Sequence, residues 1–393
     1  MKTRVRSARA RAAVAAAVTV LALALGACAG AAPGATNANP ATCLPHVTSA
    51  ADYQRAFDAR GPVWSGGDGA LPITLPDGRV LWLFGDTFSG LVVGNRYVPP
   101  IVMVRNSAIV QTGRCFQPLM GGTPGHVADL FPQPAPDQWY WPVGAWVDPS
   151  GTSLHVFVRQ MRRAPGPPGW DWTSVGMRVA TMSLPDLTVR SVTPLPFPTD
   201  ASVPVYGTSV TVAPDGYAYV YGSLSMPGPL FPIAQQYVAR VPAGLDGPWE
   251  FWDGTAWSSS SSDAAPMVFT KADGSPDDQP NAPLNVIPYG TGWLGSAKRV
   301  EIISPDVTAW YAPAPQGPWQ AVNDDDGSIA LTPVSSTGLF TYGGHVADLP
   351  IVGPVVIYNV NGDDVGVTSD AGLYGPRVVP PVDLPSPDTL AAR

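Results

Sequence analysis

Along most of the chain, short apolar runs alternate with clusters of Gly, Pro, Asp and Ser. Five times a strand-like run passes through such a cluster into a second one: PDG-RVLWLFGD at 76–86, DPSG-TSLHVFVR at 148–159, PDG-YAYVYG at 214–222, YGTG-WLGSAK at 289–298 and LPIVG-PVVIYNVN at 349–361. Turn residues between β-branched and aromatic runs are what a hairpin requires. The runs MVRNSAIVQ, MRVATMSL, YVARVPA and VTAWYAPA supply outer strands, and two matching tails follow, LDGPWEFW at 245–252 and APQGPWQ at 314–320. Each unit therefore predicts an antiparallel sheet of about four strands. The second strands recur roughly 60 to 75 residues apart, so five units fill residues 60–380. A sheet of that size cannot bury both faces alone, and radial packing of five predicts an all-β fold, a five-bladed β-propeller. Two β-sandwich domains are the alternative that this spacing leaves open.

One helix breaks the β pattern, at Ala50 to Ala59, with Ser49 placed to cap it and Asp52 at the capping-box position. The N-terminus follows another rule. Lys2, Arg4, Arg6, Arg9 and Arg11 precede an apolar run from Ala12 to Leu25 that closes on Leu25-Gly26-Ala27-Cys28. A basic segment, a short apolar segment and small residues predict a secretory signal, and the run is too short for a good membrane span. The last four residues resemble a bacterial lipobox, which makes Cys28 the expected lipidation site. Domain organisation follows: a lipoprotein signal at 1–28, a flexible tether at 29–42 rich in Ala, Gly, Pro and Asn, and a single propeller domain at 43–393. The expected location is the outer face of the cytoplasmic membrane, held by a lipid anchor. Cys43 and Cys115 then remain as an even pair in an exported chain, for which a disulfide is the default.

Composition narrows the function. With 46 prolines, 41 glycines and 13% charged residues, the chain is a turn-rich β protein rather than a helical one. No Walker sequence, strand-coupled GxGxxG or basic stripe is visible, and the formal charge of -8 disfavours polyanions. Nucleic acid is not an expected partner, no cofactor is expected, and the domain is expected to be a monomer.

The stretch WSGGDGALPITLPDGRVLWLFGDTFSG, residues 64–90, carries the candidate chemistry. If Pro76-Asp77-Gly78 is a three-residue loop, Leu75 faces Arg79, and the same register sets Asp68 opposite Asp86. Directly opposed residues share a face, with Cβ atoms ~4.5–5.5 Å apart. A two-residue loop would put them on opposite faces. Two carboxylates that close separate in pKa, which is the division of labour glycosidic bond cleavage uses. Gly67, Gly69 and Gly85 are expected to let a sugar approach the backbone. Turn aspartates that merely cap strand ends are the other reading of the pair.

W-S-G-G-D-G-A, L-P-D-G-R-V-L-W-L-F-G-D-T-F, R-N-S-A-I-V at 105–110, Y-W-P-V at 140–143 and V-V-I-Y-N-V-N at 355–361 together resemble the actinobacterial endo-D-arabinanases, five-bladed propeller glycoside hydrolases. The resemblance covers roughly residues 50–375, with its specific part in the first unit. It implies cleavage of α-linked D-arabinofuranose chains of arabinogalactan and lipoarabinomannan, with Asp68 and Asp86 as the catalytic pair. Asp86 follows the apolar run Leu81 to Phe84, so burial is expected to suit it to acid/base work and leave Asp68 as nucleophile. A close pair favours a retaining mechanism.

Position in the repeat nominates further residues for the mouth on the Asp68 side: Asn106, Trp141, Arg159, Tyr206, Asn285, Lys298, His345 and Asn359. Amide, hydroxyl and ammonium groups can bond sugar hydroxyls and Trp can stack on a sugar face, although Trp141 beside Trp139, Tyr140 and Trp146 also suits a core. His46, His126 and His155 lack metal-ligand spacing, and Asp324, Asp325, Asp326 and Gly327 lack the remaining calcium-loop ligands and read as a solvated turn. Ser258 to Ser262 reads as a flexible loop. Ser304 to Trp310 lacks the glycine of a sialidase Asp box. A hydrolase of envelope arabinan is the first expectation; a non-catalytic glycan- or partner-binding lipoprotein and a glycosidase of another substrate are the alternatives.

Overall fold

The computed structural model describes residues 40–392 apart from 124, 168, 201, 228–232, 279, 325, 333–338 and 363–368. The signal, Cys28, the tether before Pro40 and Asp325 lie outside the described residues.

All five expected hairpins are present. Leu71–Thr74 pairs Val80–Phe84, Gln138–Val147 pairs Ser153–Arg163, Val205–Val212 pairs Tyr217–Met226, Asn285–Tyr289 pairs Gly292–Lys298, and Phe340–Leu349 pairs Gly353–Asn361. Outer strands extend each one: Ser107–Thr112 and Cys115–Leu119, Trp172–Ser183 and Thr188–Pro194, Ile233–Pro242 and Glu250–Trp252, Asp306–Ala312 and Trp319–Ala321, and Gly375–Val379. The first strands of successive sheets adjoin, and Phe340–Leu349 returns to Leu71–Thr74. Between them lies a cavity of about 300 Å³, lined by Leu71, Ala145, Val210, Ile287 and Val346 among others. The fold is all-β and β-propeller-like. Two smaller sheets accompany these five; one of them, Gly66–Gly67 with Thr87–Val93 and Arg96–Val104, continues the first hairpin past its aspartates.

Strand Val80–Phe84 shows why its sequence is apolar without alternation. Leu81 and Leu83 face Val156 and Val158 of the second sheet, while Trp82 and Phe84 face the helix and Val378, so both faces are buried. A strand covered on both sides loses the period-two pattern.

The helix spans Ala50–Asp58, starting one residue after Ser49, whose Oγ accepts from the Asp52 N–H. Hydrogen bonds from the Thr48 N–H and Ser49 Oγ, at 2.9 and 2.8 Å, hold Asp52 down at about 2. That stabilisation is present above the ordinary carboxylate pKa and is lost as pH falls through about 2. Tyr53 and Phe57 lie 5.4 and 5.0 Å from Trp82, and Gln54 Oε1 accepts from Val378 N–H at 3.0 Å. The helix therefore ties the first sheet to the last strand.

Ser258 to Ser262 is more ordered than its composition predicts. Trp257–Ser258 pairs with Phe251 and Trp252, and a 3-10 turn follows at Ser261–Asp263. The contact between Trp252 and Trp257, at 5.4 Å, supplies the apolar anchor that serine runs lack.

Cys43 and Cys115 are disulfide-bonded across 72 positions, and the bond fastens Thr42–Cys43 to the edge of the first sheet. Closing a loop of this length in the unfolded chain corresponds to about 4 kcal/mol. Cys43→Ser with Cys115→Ser is therefore expected to lower stability by about 2–4 kcal/mol, read as a lower urea midpoint.

Candidate active site

The first hairpin turns on a three-residue loop. Leu75 N–H donates to Arg79 O at 2.8 Å, and Gly78, at φ 83°, donates to Leu75 O at 3.0 Å. The register so set runs from Thr74 opposite Val80 to Leu71 opposite Leu83, and reappears beyond the aspartates as Gly67 opposite Thr87. Between those stretches Asp68 N–H donates to Asp86 O at 3.2 Å, and Gly85 N–H donates to Asp68 O at 2.7 Å. The two aspartates thus face each other.

Gly85 makes this possible in a way the sequence does not announce. A Cβ there would stand 2.6 Å from Asp68 Oδ1, so the space above Gly85 belongs to the carboxylate itself. Gly67 is likewise hemmed in, by Thr87 Oγ1 at 2.9 Å, and the Gly69 N–H is bonded to Asn359 Oδ1 at 3.0 Å. The expected sugar approach over these glycines is corrected: protein atoms occupy Gly67 and Gly85, and the Gly69 amide is already bound.

The partners of the two carboxyls differ in kind. Asp86 receives charged and polar donors: Arg105 Nη1 at 2.9 Å to Oδ2 and Trp141 Nε1 at 2.8 Å to Oδ1. Asp68 receives the Tyr342 hydroxyl at Oδ2, at 2.5 Å. The Tyr374 hydroxyl reaches both Asp68 and the Asp86 carbonyl, the latter at 2.7 Å. Its bond to Asp68, like that of Tyr342, favours the charged carboxyl and partly offsets burial. Burial and the neighbouring Asp86 charge raise Asp68 to about 7. Burial raises Asp86 too, but the Arg105 guanidinium and the Trp141 N–H stabilise its charged form. A third carboxyl, Asp129, accepts from Arg105 N–H at 2.7 Å, and its charge works against Asp86. Burial raises both carboxyls, but only Asp86 has a guanidinium and an indole N–H to offset it, so the surroundings favour the proton on Asp68 over Asp86, the reverse of what the apolar run before Asp86 suggests.

The remaining nominated residues scatter. Trp141 is in the site, through its bond to Asp86. Asn359 stands behind it, holding Gly69 and donating to Tyr342 O at 3.5 Å. Asn106, Tyr206 and Lys298 do not line a mouth, since each is buried. The Asn106 amide binds Phe131 and Tyr140 backbone, Tyr206 packs against Phe197 and Phe251, and Lys298 Nζ bonds Thr332 and Thr341. Burial pushes Lys298 down to about 8. Arg159 pairs with Trp141 across the second hairpin, and burial lowers its pKa. Asn285 and His345 face the central cavity instead; His345 Nδ1 contacts Gly343 O at 2.8 Å. Among the described residues no group of three or more His, Cys, Asp or Glu is placed to hold a metal.

Arg105, Asp129, Tyr342 and Tyr374 went unnominated. Parity was the available signal for Arg105: neighbours in an extended segment point to opposite faces, so a buried Asn106 turns Arg105 to the site. A register shift between Tyr342 and His345 hides the equivalent parity in the fifth hairpin.

A family model described as a domain of unknown function, DUF5005, matches residues 51–372. No curated protein matches the chain. Among solved structures it is similar to a candidate hydrolase from Bacteroides ovatus ATCC 8483, with TM-score 0.63 and 19% identity over 84% of this chain and 88% of that one. It is also similar to the GH43_1 enzyme from Xanthomonas citri complexed with xylose, with TM-score 0.50 and 13% identity over 84% of this chain and 92% of that one. At such identities the likeness speaks for the fold.

Two outcomes follow from the electrostatics alone. A carboxyl whose folded pKa is raised binds more protons in the native state, so its burial opposes folding increasingly as pH rises from about 4 to 7. Asp68→Asn should therefore gain melting temperature over the parent at pH 7.5 and show a smaller gain at pH 4.5; an equal difference at both would refute the raised value. Tyr342→Phe removes a donor to the charged form and should move the Asp68 titration upward, read by carboxyl ¹³C NMR.

Proposed function

The chain belongs to the DUF5005 family, and from that premise we propose that it is a glycoside hydrolase whose catalytic groups are Asp68 and Asp86. One observation carries the reading: two facing carboxyls in a common, half-buried site, one bonded by neutral partners and the other by a guanidinium and an indole N–H. The architecture is read as a five-bladed propeller, which the succession of adjoining first strands supports.

Asp68 is the acid/base and Asp86 the nucleophile. Asp68 gives its proton to the glycosidic oxygen as the bond from the anomeric carbon to that oxygen breaks, while an Asp86 oxygen forms an ester with the anomeric carbon. Water then attacks that carbon, its proton passes to the Asp68 carboxylate, and the ester bond breaks to regenerate Asp86. Arg105 and Trp141 keep Asp86 ionised before attack. Facing residues with Cβ atoms ~4.5–5.5 Å apart suit the short separation of a retaining pair.

For substrate, the resemblance to endo-D-arabinanases favours internal α-D-arabinofuranosyl linkages of arabinogalactan and lipoarabinomannan, met at the cell envelope by an exported monomer anchored through Cys28. Xylose belongs to the Xanthomonas citri enzyme; for this chain a pentose of similar size is the common element.

Residues 41–393 should release oligosaccharides from purified arabinogalactan, and Asp68→Asn and Asp86→Asn should each lower turnover by about 10³-fold or more while still folding. Activity should fall on the alkaline side near pH 7 as Asp68 loses its proton. Arg105→Gln should shift the acidic limb upward by leaving Asp86 easier to protonate. NMR of the first-formed anomer distinguishes retention from inversion. Glycan binding without any product would turn the assignment to a non-catalytic binding protein.

A further inference from the structure

A row of aromatic side chains runs round the acid pair from one carboxyl to the other. It begins at Trp141, bonded to Asp86, and passes to Trp172 at 5.1 Å, Trp170 at 6.0 Å, Phe340 at 6.0 Å and Tyr342 at 5.7 Å, which is bonded to Asp68. Trp141 and Trp172 belong to the second sheet, Phe340 and Tyr342 to the fifth, and both sheets adjoin the first. Trp170 lies in the connection between Ser153–Arg163 and Trp172–Ser183, and its ring spans from one sheet to the other.

Trp170 makes only 31° with Trp172 and 38° with Phe340, which makes 38° with Tyr342. From Trp172 to Tyr342 successive rings are thus turned by 31° to 38°, whereas Trp141 meets Trp172 edge to face at 84°. This part of the row is open: Trp170 is 48% exposed, and Trp172 and Phe340 are part-exposed. Beside it the exposed pair Arg163 and Asp171 offers both donors and acceptors. An accessible aromatic face with polar groups at its edge fits a sugar ring, which carries C–H bonds on its faces and hydroxyls round its rim.

Taking the site as glycosidic, as proposed above, we propose that Trp170 and Trp172, with Phe340, form a sugar-stacking subsite next to the point of cleavage. Trp170 and Trp172 bind and position one ring of the glycan; they take no part in the bond changes.

The test uses Asp68→Asn as a non-turning-over background and a linear α-D-arabinofuranosyl hexasaccharide as probe, followed by calorimetry and tryptophan emission. Asp68→Asn should bind the probe with a change in emission. Adding Trp170→Ala should weaken binding about tenfold or more, and adding Trp170→Phe should restore most of it. In the active protein, Trp170→Ala should raise KM about tenfold with kcat changed less than about threefold. If Trp170→Ala does not fold, Trp170→Leu carries the same test, since it keeps bulk between the sheets without a flat face. Unaltered binding, or a loss of melting temperature and kcat with KM unmoved, would overturn the subsite and leave Trp170 as a brace. So would failure of Asp68→Asn to bind the probe at all. An active parent with Trp170→Ala indistinguishable from it rejects the subsite and keeps the hydrolase; a parent without hydrolysis that binds through Trp170 rejects the hydrolase and keeps the subsite.

Discussion

Two half-buried carboxyl groups set face to face are what much of the surrounding structure answers to. Removing both from water without partners would be prohibitive, and leaving both charged would add their repulsion. The molecule resolves this by giving Asp86 a guanidinium and an indole N–H, and Asp68 a phenol donor that serves either protonation state. The two carboxyls are therefore told apart by unequal partners. Burial alone raises both groups together.

The donors come from far apart in the chain. Arg105 precedes the third strand of the first sheet, Trp141 is on the second sheet, Tyr342 on the fifth, and Tyr374 adjoins its last strand. The helix adds a further tie, since Tyr53 and Phe57 grip Trp82 while Gln54 holds Val378. The acid pair is thus assembled where elements from the beginning and the end of the β structure meet.

How much of this was legible in the sequence depends on the range of the determining interaction. The hairpins were readable because turn chemistry and alternation are local, and the pairing of Asp68 with Asp86 followed from the length of one loop, Pro76 to Gly78. Partners that cross between sheets were not readable. Asn106 and Lys298 look like ligand groups in one dimension, yet their polar atoms satisfy backbone carbonyls and threonine hydroxyls inside the protein. Arg105 and Tyr342 look incidental, and both touch the carboxyls. The fate of a polar residue is decided by its parity and its neighbours across a bulge, which composition does not encode.

Gly85 joins these levels. Its backbone lies outside the left-handed region, so flexibility does not explain it; absence of a side chain does, because Asp68 Oδ1 occupies the place of a Cβ. The same residue gives Asp68 its backbone hydrogen bond at 2.7 Å. Any larger residue would push the carboxyl toward solvent, where burial no longer holds its proton near neutral pH, and away from Tyr342. A strand-end glycine that resembles a turn signal thus makes room for the carboxyl beside it, through the volume it leaves empty.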